Sequence, residues 1–141
     1  MPCRRPMRDC PTICLLVFAA QGATAQADDM LAQPLEDCHE NQLAENVCAR
    51  RAFDAADKAL NLRFASQLSQ LESAQTKSQF RAAQRAWVAF RDADCLYQTG
   101  KPEDSGSIWP LLHWSCMEAH TTIRVEQLKQ YVACTEDGCP R

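Results

Sequence analysis

The sequence predicts an all-α fold, a small three-helix up-down-up bundle stapled by disulfides. Apolar residues recur every three or four positions in three stretches, strong helix breakers separate those stretches, and no segment alternates for long as a strand would. The cysteine count supplies the staples.

The first 27 residues read as a secretory signal peptide. Arg4, Arg5 and Arg8 precede an apolar run from Ile13 to Ala20, and small residues lead to Ala25-Gln26-Ala27. That is the positive, apolar and A-x-A order of an export signal. The run is far shorter than the ~20 residues needed to cross a bilayer, so no stable membrane insertion is expected. Cys14 lies inside the run and Cys38 well beyond it, which disfavours a lipid anchor. Cleavage near Ala27 leaves residues 28–141, 114 of the chain's 141 residues, and room for one domain. Residues 28–37, with Asp28, Asp29, Gln33 and Pro34, are expected to form a flexible N-terminal arm, residues 38–131 the helical domain, and residues 132–141 a tail with its own Cys pair.

The first helix is expected from Val47, with Asn46 as its N-cap and Phe53, Ala56, Leu60, Phe64, Leu68 and Leu71 as its buried stripe. Thr76-Lys77-Ser78-Gln79 matches a Thr-x-x-Gln capping box and predicts the start of a second helix. The inner face of that helix is Phe80, Ala83, Trp87, Phe90 and Cys95, with Gly100 as its stop. Residues 101–107 concentrate Pro, Gly and Ser and read as a loop. Ser107 is then the expected cap of a third helix, in which Pro110 is tolerated because first-turn N–H groups lack intrahelical partners. Leu112, Cys116, Ala119, Ile123 and either Gln127 or Leu128 continue its expected inner face to about Tyr131.

Of nine cysteines, Cys3, Cys10 and Cys14 would leave with the signal peptide, and the remaining six suit three disulfides in an oxidising compartment, the periplasm or the outside. The topology gathers Cys48, Cys95 and Cys116 at one pole, with Cys38 just upstream. Four thiols there permit three pairings. Cys38 with Cys48 and Cys95 with Cys116 is preferred, since each joins near neighbours and Cα atoms must approach within about 7 Å. Cys134 and Cys139 would close a small terminal loop; their spacing is not that of a C-x-x-C redox motif.

From residue 28 onward 12 Lys and Arg face 17 Asp and Glu, a net charge of −5, which disfavours nucleic acid and suits a basic partner. Three His at unsuitable spacings predict no zinc site, and no cofactor motif is present. The carboxylate pairs Asp54/Asp57 and Asp92/Asp94 would need a cleft to act as a glycosidase pair, and i,i+2 residues diverge on a helix. Ser105 and Ser107, with His113 or His120, lack a nucleophile elbow. The expectation is a protein that is not an enzyme.

Four blocks carry a family resemblance. They are Cys38 with Glu45-Asn46-Val47-Cys48-Ala49; Ala56-Asp57-Lys58-Ala59-Leu60-Asn61; Ala83-Gln84-Arg85-Ala86-Trp87-Val88-Ala89-Phe90-Arg91-Asp92-Ala93-Asp94-Cys95; and Gly106-Ser107 with Cys116-Met117, Thr121-Thr122-Ile123-Arg124 and Leu128. In these the chain resembles the LprI-like lysozyme-inhibitor N-terminal domain family of small Cys-rich exported bacterial proteins. The likeness spans residues 38–131, leaving Cys134 and Cys139 outside it.

Helical spacing lets Asp57, Asn61, Gln84, Arg91 and Arg124 meet as a partly buried polar network that fixes helix register, with a ligand site as the alternative reading. The resemblance implies an exported binding protein that inhibits lysozyme. On that reading the acidic segment between the second and third helices is the candidate partner-binding loop, with Glu103, Asp104, Ser105, Ser107 and Trp109 as contacts. For Trp109 the competing reading is packing at the entrance of the third helix. The competing reading for the whole chain is a non-inhibitory cell-envelope module, binding another envelope protein or serving stress tolerance.

Overall fold

A computed structural model describes residues 37–139. The signal peptide and most of the N-terminal arm predicted from the sequence lie outside these residues, all of which belong to the unit Gln33–Arg141. They are all-helical, in the order α1 (Gln42–Gln70), α2 (Ala74–Thr99), a short α3 (Pro102–Ser105), a 3-10 turn (Gly106–Ile108) and α4 (Trp109–Ala133). Among the described residues no helix is long and apolar enough to cross a membrane.

The helix starts differ from the sequence expectation. Asn41, in extended conformation, caps α1 by accepting from the Ala44 N–H at 3.0 Å, so Asn46 lies inside the helix. Ser73 caps α2 through the Thr76 N–H at 2.9 Å, which moves Thr76 from the expected cap into the first turn. In both cases a second cap-competent residue stood within a few positions, and chain entry chose the earlier one.

Gly100 ends α2 as expected, with φ 71°, and its N–H donates to Leu96 O at 2.9 Å. A Cβ there would be strained by that φ and would stand 3.0 Å from Ser105 Oγ. Residues expected to be loop instead form α3 and the 3-10 turn, because Pro102 occupies a first-turn position that needs no N–H donor. Ser107 does not cap α4 with its side chain; Ile108 precedes that helix and makes no side-chain cap bond.

α1 and α4 lie closest together, and α2 packs less extensively on α4. α1 and α4 start at the same pole, where Asn46 reaches Ser107 and Leu111. α2 runs the opposite way, placing Cys95 beside Cys116 at that pole and Phe80 against Phe64 towards the other. Disulfides join Cys38–Cys48, Cys95–Cys116 and Cys134–Cys139, with Cα separations of 5.8, 5.7 and 5.8 Å.

Among the described residues two apolar clusters form the core. Phe53, Cys95 and Met117, with Trp114 and Cys116 against them, occupy the disulfide pole; Leu60, Val125 and Leu128, with Phe64, Phe80 and Trp87, occupy the other half. Leu60 and Leu128 are almost wholly buried and each contributes about 1.5–3 kcal/mol through desolvation. Buried Arg91, Thr121 and Arg124 form a polar layer between the clusters.

That layer explains two misplaced faces. On α4 the inner stripe is Met117, Thr121, Arg124, Val125 and Leu128, while Leu112 and Ile123, expected inside, are 46% and 60% exposed and Ala119 is also exposed. On α2 Arg91 takes the inward position next to Phe90, which is 56% exposed, and Ala83 faces out. An apolar stripe drawn from hydropathy alone rotates away from a buried face that carries a guanidinium and a threonine.

Candidate functional site

The polar layer brings the five predicted network residues into two linked groups. Arg91, 6% exposed, donates to Thr121 Oγ1 at 3.3 Å and holds Asp92 Oδ1 at 2.8 Å and Asp57 Oδ1 at 3.6 Å. Asn61 Nδ2 donates to the other oxygen of Asp57 at 3.0 Å. In the second group Arg124, 8% exposed, donates to Gln84 Oε1 at 3.1 Å and Gln127 Oε1 at 3.0 Å. Trp87 links the groups, since the Arg91 and Arg124 guanidinium carbons lie 5.2 and 5.8 Å from its ring centre.

Sequence spacing missed Thr121, Asp92 and Gln127 in this layer. Thr121 was findable: its hydroxyl donates to Met117 O at 2.6 Å, four residues back, leaving its oxygen to accept from Arg91. A period of three to four through Met117, Thr121, Arg124 and Leu128 traces the buried face once Thr is admitted to it.

The segment joining α2 to α4 is built differently from a free loop. Ser105 Oγ reaches Lys101 O at 2.8 Å and Thr99 O at 3.1 Å. Trp109 Nε1 donates to Gly100 O at 2.9 Å, and its ring stacks on His113 at 4.3 Å and 12°. Ser107 O accepts from Asn46 Nδ2 at 3.0 Å. Three of the five predicted contact residues thus hold the segment in place, whereas Glu103 and Asp104 are exposed on α3.

The residues weighed for catalysis have other partners. Asp54 pairs with Arg50 at 2.8 Å, and Asp94 accepts from Gln98 Nε2 at 2.7 Å and faces His120 Nε2 at 2.8 Å. His113 Nδ1 lies 3.5 Å from Thr99 Oγ1. Burial lowers the His113 pKa from its ordinary 6.5, a nearby Asp92 opposes that effect, and Arg91 reinforces it. His120, Cys95 and Cys116 place ligand-type atoms within 4.8 Å of one another, but the two sulfurs are bonded to each other and offer no thiolate to a metal.

Charge is segregated along the molecule. The half nearer the Cys95–Cys116 disulfide, residues 37–57 and 89–120, carries ten Asp and Glu against four Lys and Arg. The other half, residues 58–88 and 121–139, carries four against seven. Glu103 and Asp104 sit on the acidic half.

Comparison with known proteins places these features in context. A family model described as "Lysozyme inhibitor LprI" matches residues 36–128, the stretch that contains α1, α2, the linker and most of α4. An uncharacterized protein, R02472, of Rhizobium meliloti (strain 1021) is 28% identical over 141 residues, covering 90% of this chain and 96% of the relative. No solved structure matches the chain.

Proposed function

Because the chain belongs to the lysozyme inhibitor LprI family, we propose that it is an exported protein that binds and inhibits a lysozyme with the acidic pole of its bundle. The family is one of inhibitors and not of enzymes, so the activity to be explained is recognition. The scaffold of the proposal is the up-down-up three-helix arrangement of residues 38–131, flanked by the 28–37 arm and the 132–141 tail. Three disulfides support an address in the periplasm or outside the cell, where such bonds persist.

The observation that carries the binding surface is the segregation of charge. Ten carboxylates against four cations in one half give a field that steers a basic enzyme towards that pole. Glu103 and Asp104 project there from α3, whose position is fixed by the Ser105 and Trp109 hydrogen bonds, so little ordering is needed on binding. Trp109 acts as scaffold on this reading. The aromatic anchor is Tyr97, 87% exposed on the last turns of α2 beside the linker.

The test is lysis of a bacterial suspension by lysozymes of several classes, with and without the oxidised chain from residue 28. Dose-dependent protection that is lost in Glu103→Lys/Asp104→Lys and weakened in Tyr97→Ala supports the proposal. Protection that survives both changes moves the binding face elsewhere. Unaltered lysis at saturating protein for every class rejects inhibition and leaves the cell-envelope interaction module.

A further inference from the structure

α2 stands away from α1, and the Phe64–Phe80 stack at 4.8 Å acts as a spacer between them. The gap is a groove of about 410 Å³, within the range of small-molecule sites, ~300–1,000 Å³. Its floor is apolar, formed by Leu60, Phe64 and Val88. Arg81 and Arg85 border it from α2. Spaced i,i+4, they lie one turn apart on the same side of that helix. Both are exposed, and neither guanidinium is held by a carboxylate among the described residues. Asp57, at the opposite end, is already engaged by Asn61 and Arg91. Gln84, whose Oε1 accepts from Arg124, also lines the groove.

We propose that this groove binds a single-chain anionic amphiphile of the fatty-acid class, its carboxylate at Arg81 and Arg85 and its hydrocarbon chain along Leu60, Phe64 and Val88. Charge complementarity selects the headgroup, because two exposed guanidiniums one turn apart, with no carboxylate partner among the described residues, present several N–H donors to a carboxylate. The apolar floor selects the tail, since a wholly polar anion would leave it wet. The site lies in the half of the molecule away from the acidic pole, and it stands whether or not the chain inhibits lysozyme.

The test uses the oxidised chain and a dansylated undecanoate reporter, competed by laurate and by dodecanol, all below the concentrations at which they self-associate. Saturable one-to-one binding of the reporter, with laurate displacing it at least tenfold better than dodecanol, is the expected result. Arg81→Glu/Arg85→Glu should weaken laurate at least tenfold while leaving the helical spectrum and melting temperature unchanged, because both positions are exposed. Val88→Trp, which fills the floor, should abolish binding of the reporter itself, and a Val88→Trp chain that binds it normally would overturn the proposal. No reporter binding, equal displacement by laurate and dodecanol, or an Arg-reversal variant that binds laurate normally would each overturn the proposal. So would an acidic peptide without an apolar tail that competes as well as laurate.

Discussion

Asn46 on α1 caps α4. Its Oδ1 accepts from the Leu111 N–H at 3.1 Å, and its Nδ2 donates to Ser107 O at 3.0 Å, across more than sixty positions of sequence. Leu111 lies in the first turn of a helix whose own preceding residue makes no side-chain cap bond, so its N–H would otherwise be unpaired inside the packed pole. One side chain therefore fixes both the start of α4 and its register on α1.

Asn46→Ala should destabilise the fold by about 1–2 kcal/mol, the range of a lost helix cap. For a domain of this size that lowers the melting temperature by roughly 4–8 °C per kcal/mol. Asn46→Asp retains the acceptor and adds favourable charge at the start of α4, but sets a carboxylate oxygen against Ser107 O where Nδ2 donated, so its loss should be smaller than that of Asn46→Ala without vanishing. Thermal unfolding of the two variants checks the order; equal losses would mean that Leu111 gains nothing from the acceptor.

Arg91 and Asp57 should respond unequally to removal. Arg91 is 6% exposed, whereas the Asp57 side chain is 38% exposed and stands 3.6 Å away. Arg91→Ala removes the buried cation, its bond to Thr121 and its packing on Phe53 and Trp87, and should cost about 2–3 kcal/mol through lost packing and hydrogen bonding, since Asp57 and Asp92 are left partly in water. Asp57→Asn leaves Arg91 paired with Asp92 and should cost no more than about 1 kcal/mol. Urea unfolding of the two single variants and the double variant measures the coupling directly; a larger loss for Asp57→Asn would overturn this ranking.

Those residues also show what the sequence made legible. Asp57 with Asn61, and Gln84 with Arg91, sit at spacings that put them on common helix faces, and the structure does bring Asp57 and Asn61 to Arg91 and Gln84 to Arg124. Thr121 was missed because an apolar template assigns a threonine to solvent, and the same template placed Leu112 and Ile123 inside. Helix ends were legible where only one residue could act, as at Gly100, and ambiguous where several could, as at Asn41 and Asn46 or Ser73 and Thr76. Trp109 could not be assigned from sequence because its role depends on Gly100 O, nine residues earlier in the chain and brought back by α3.

The disulfides should differ in what they contribute. Cys95–Cys116 closes a separation of 21 residues and Cys95 is fully buried, while Cys134–Cys139 closes 5 residues in an exposed tail. Loop-closure entropy assigns about 3 kcal/mol to the first and about 2 to the second. Cavity formation around Cys95 widens the gap. Paired substitution to Ala, Cys95 with Cys116 and Cys134 with Cys139, followed by urea unfolding, should therefore show the larger loss for the bundle pair. Losing the tail pair should lower the urea midpoint by the smaller amount, about 2 kcal/mol in stability.

His113 gives the fold a pH dependence whose sign follows from its surroundings. Its ring stacks on Trp109 and meets Trp114 edge-on at 5.0 Å, and burial lowers its pKa below the ordinary 6.5. The unfolded chain therefore binds the proton more readily than the folded one. The contribution is fully present above pH 6.5 and is lost as the pH falls through the lowered folded value. Replacing His113 by Phe keeps an aromatic ring on Trp109 and removes the titration. The urea midpoint of the native chain should fall more between pH 8 and pH 5 than that of His113→Phe, while groups common to both cancel in the comparison. Parallel curves would show that His113 titrates alike in both states, and a steeper fall in the variant would reverse the sign assigned to its burial.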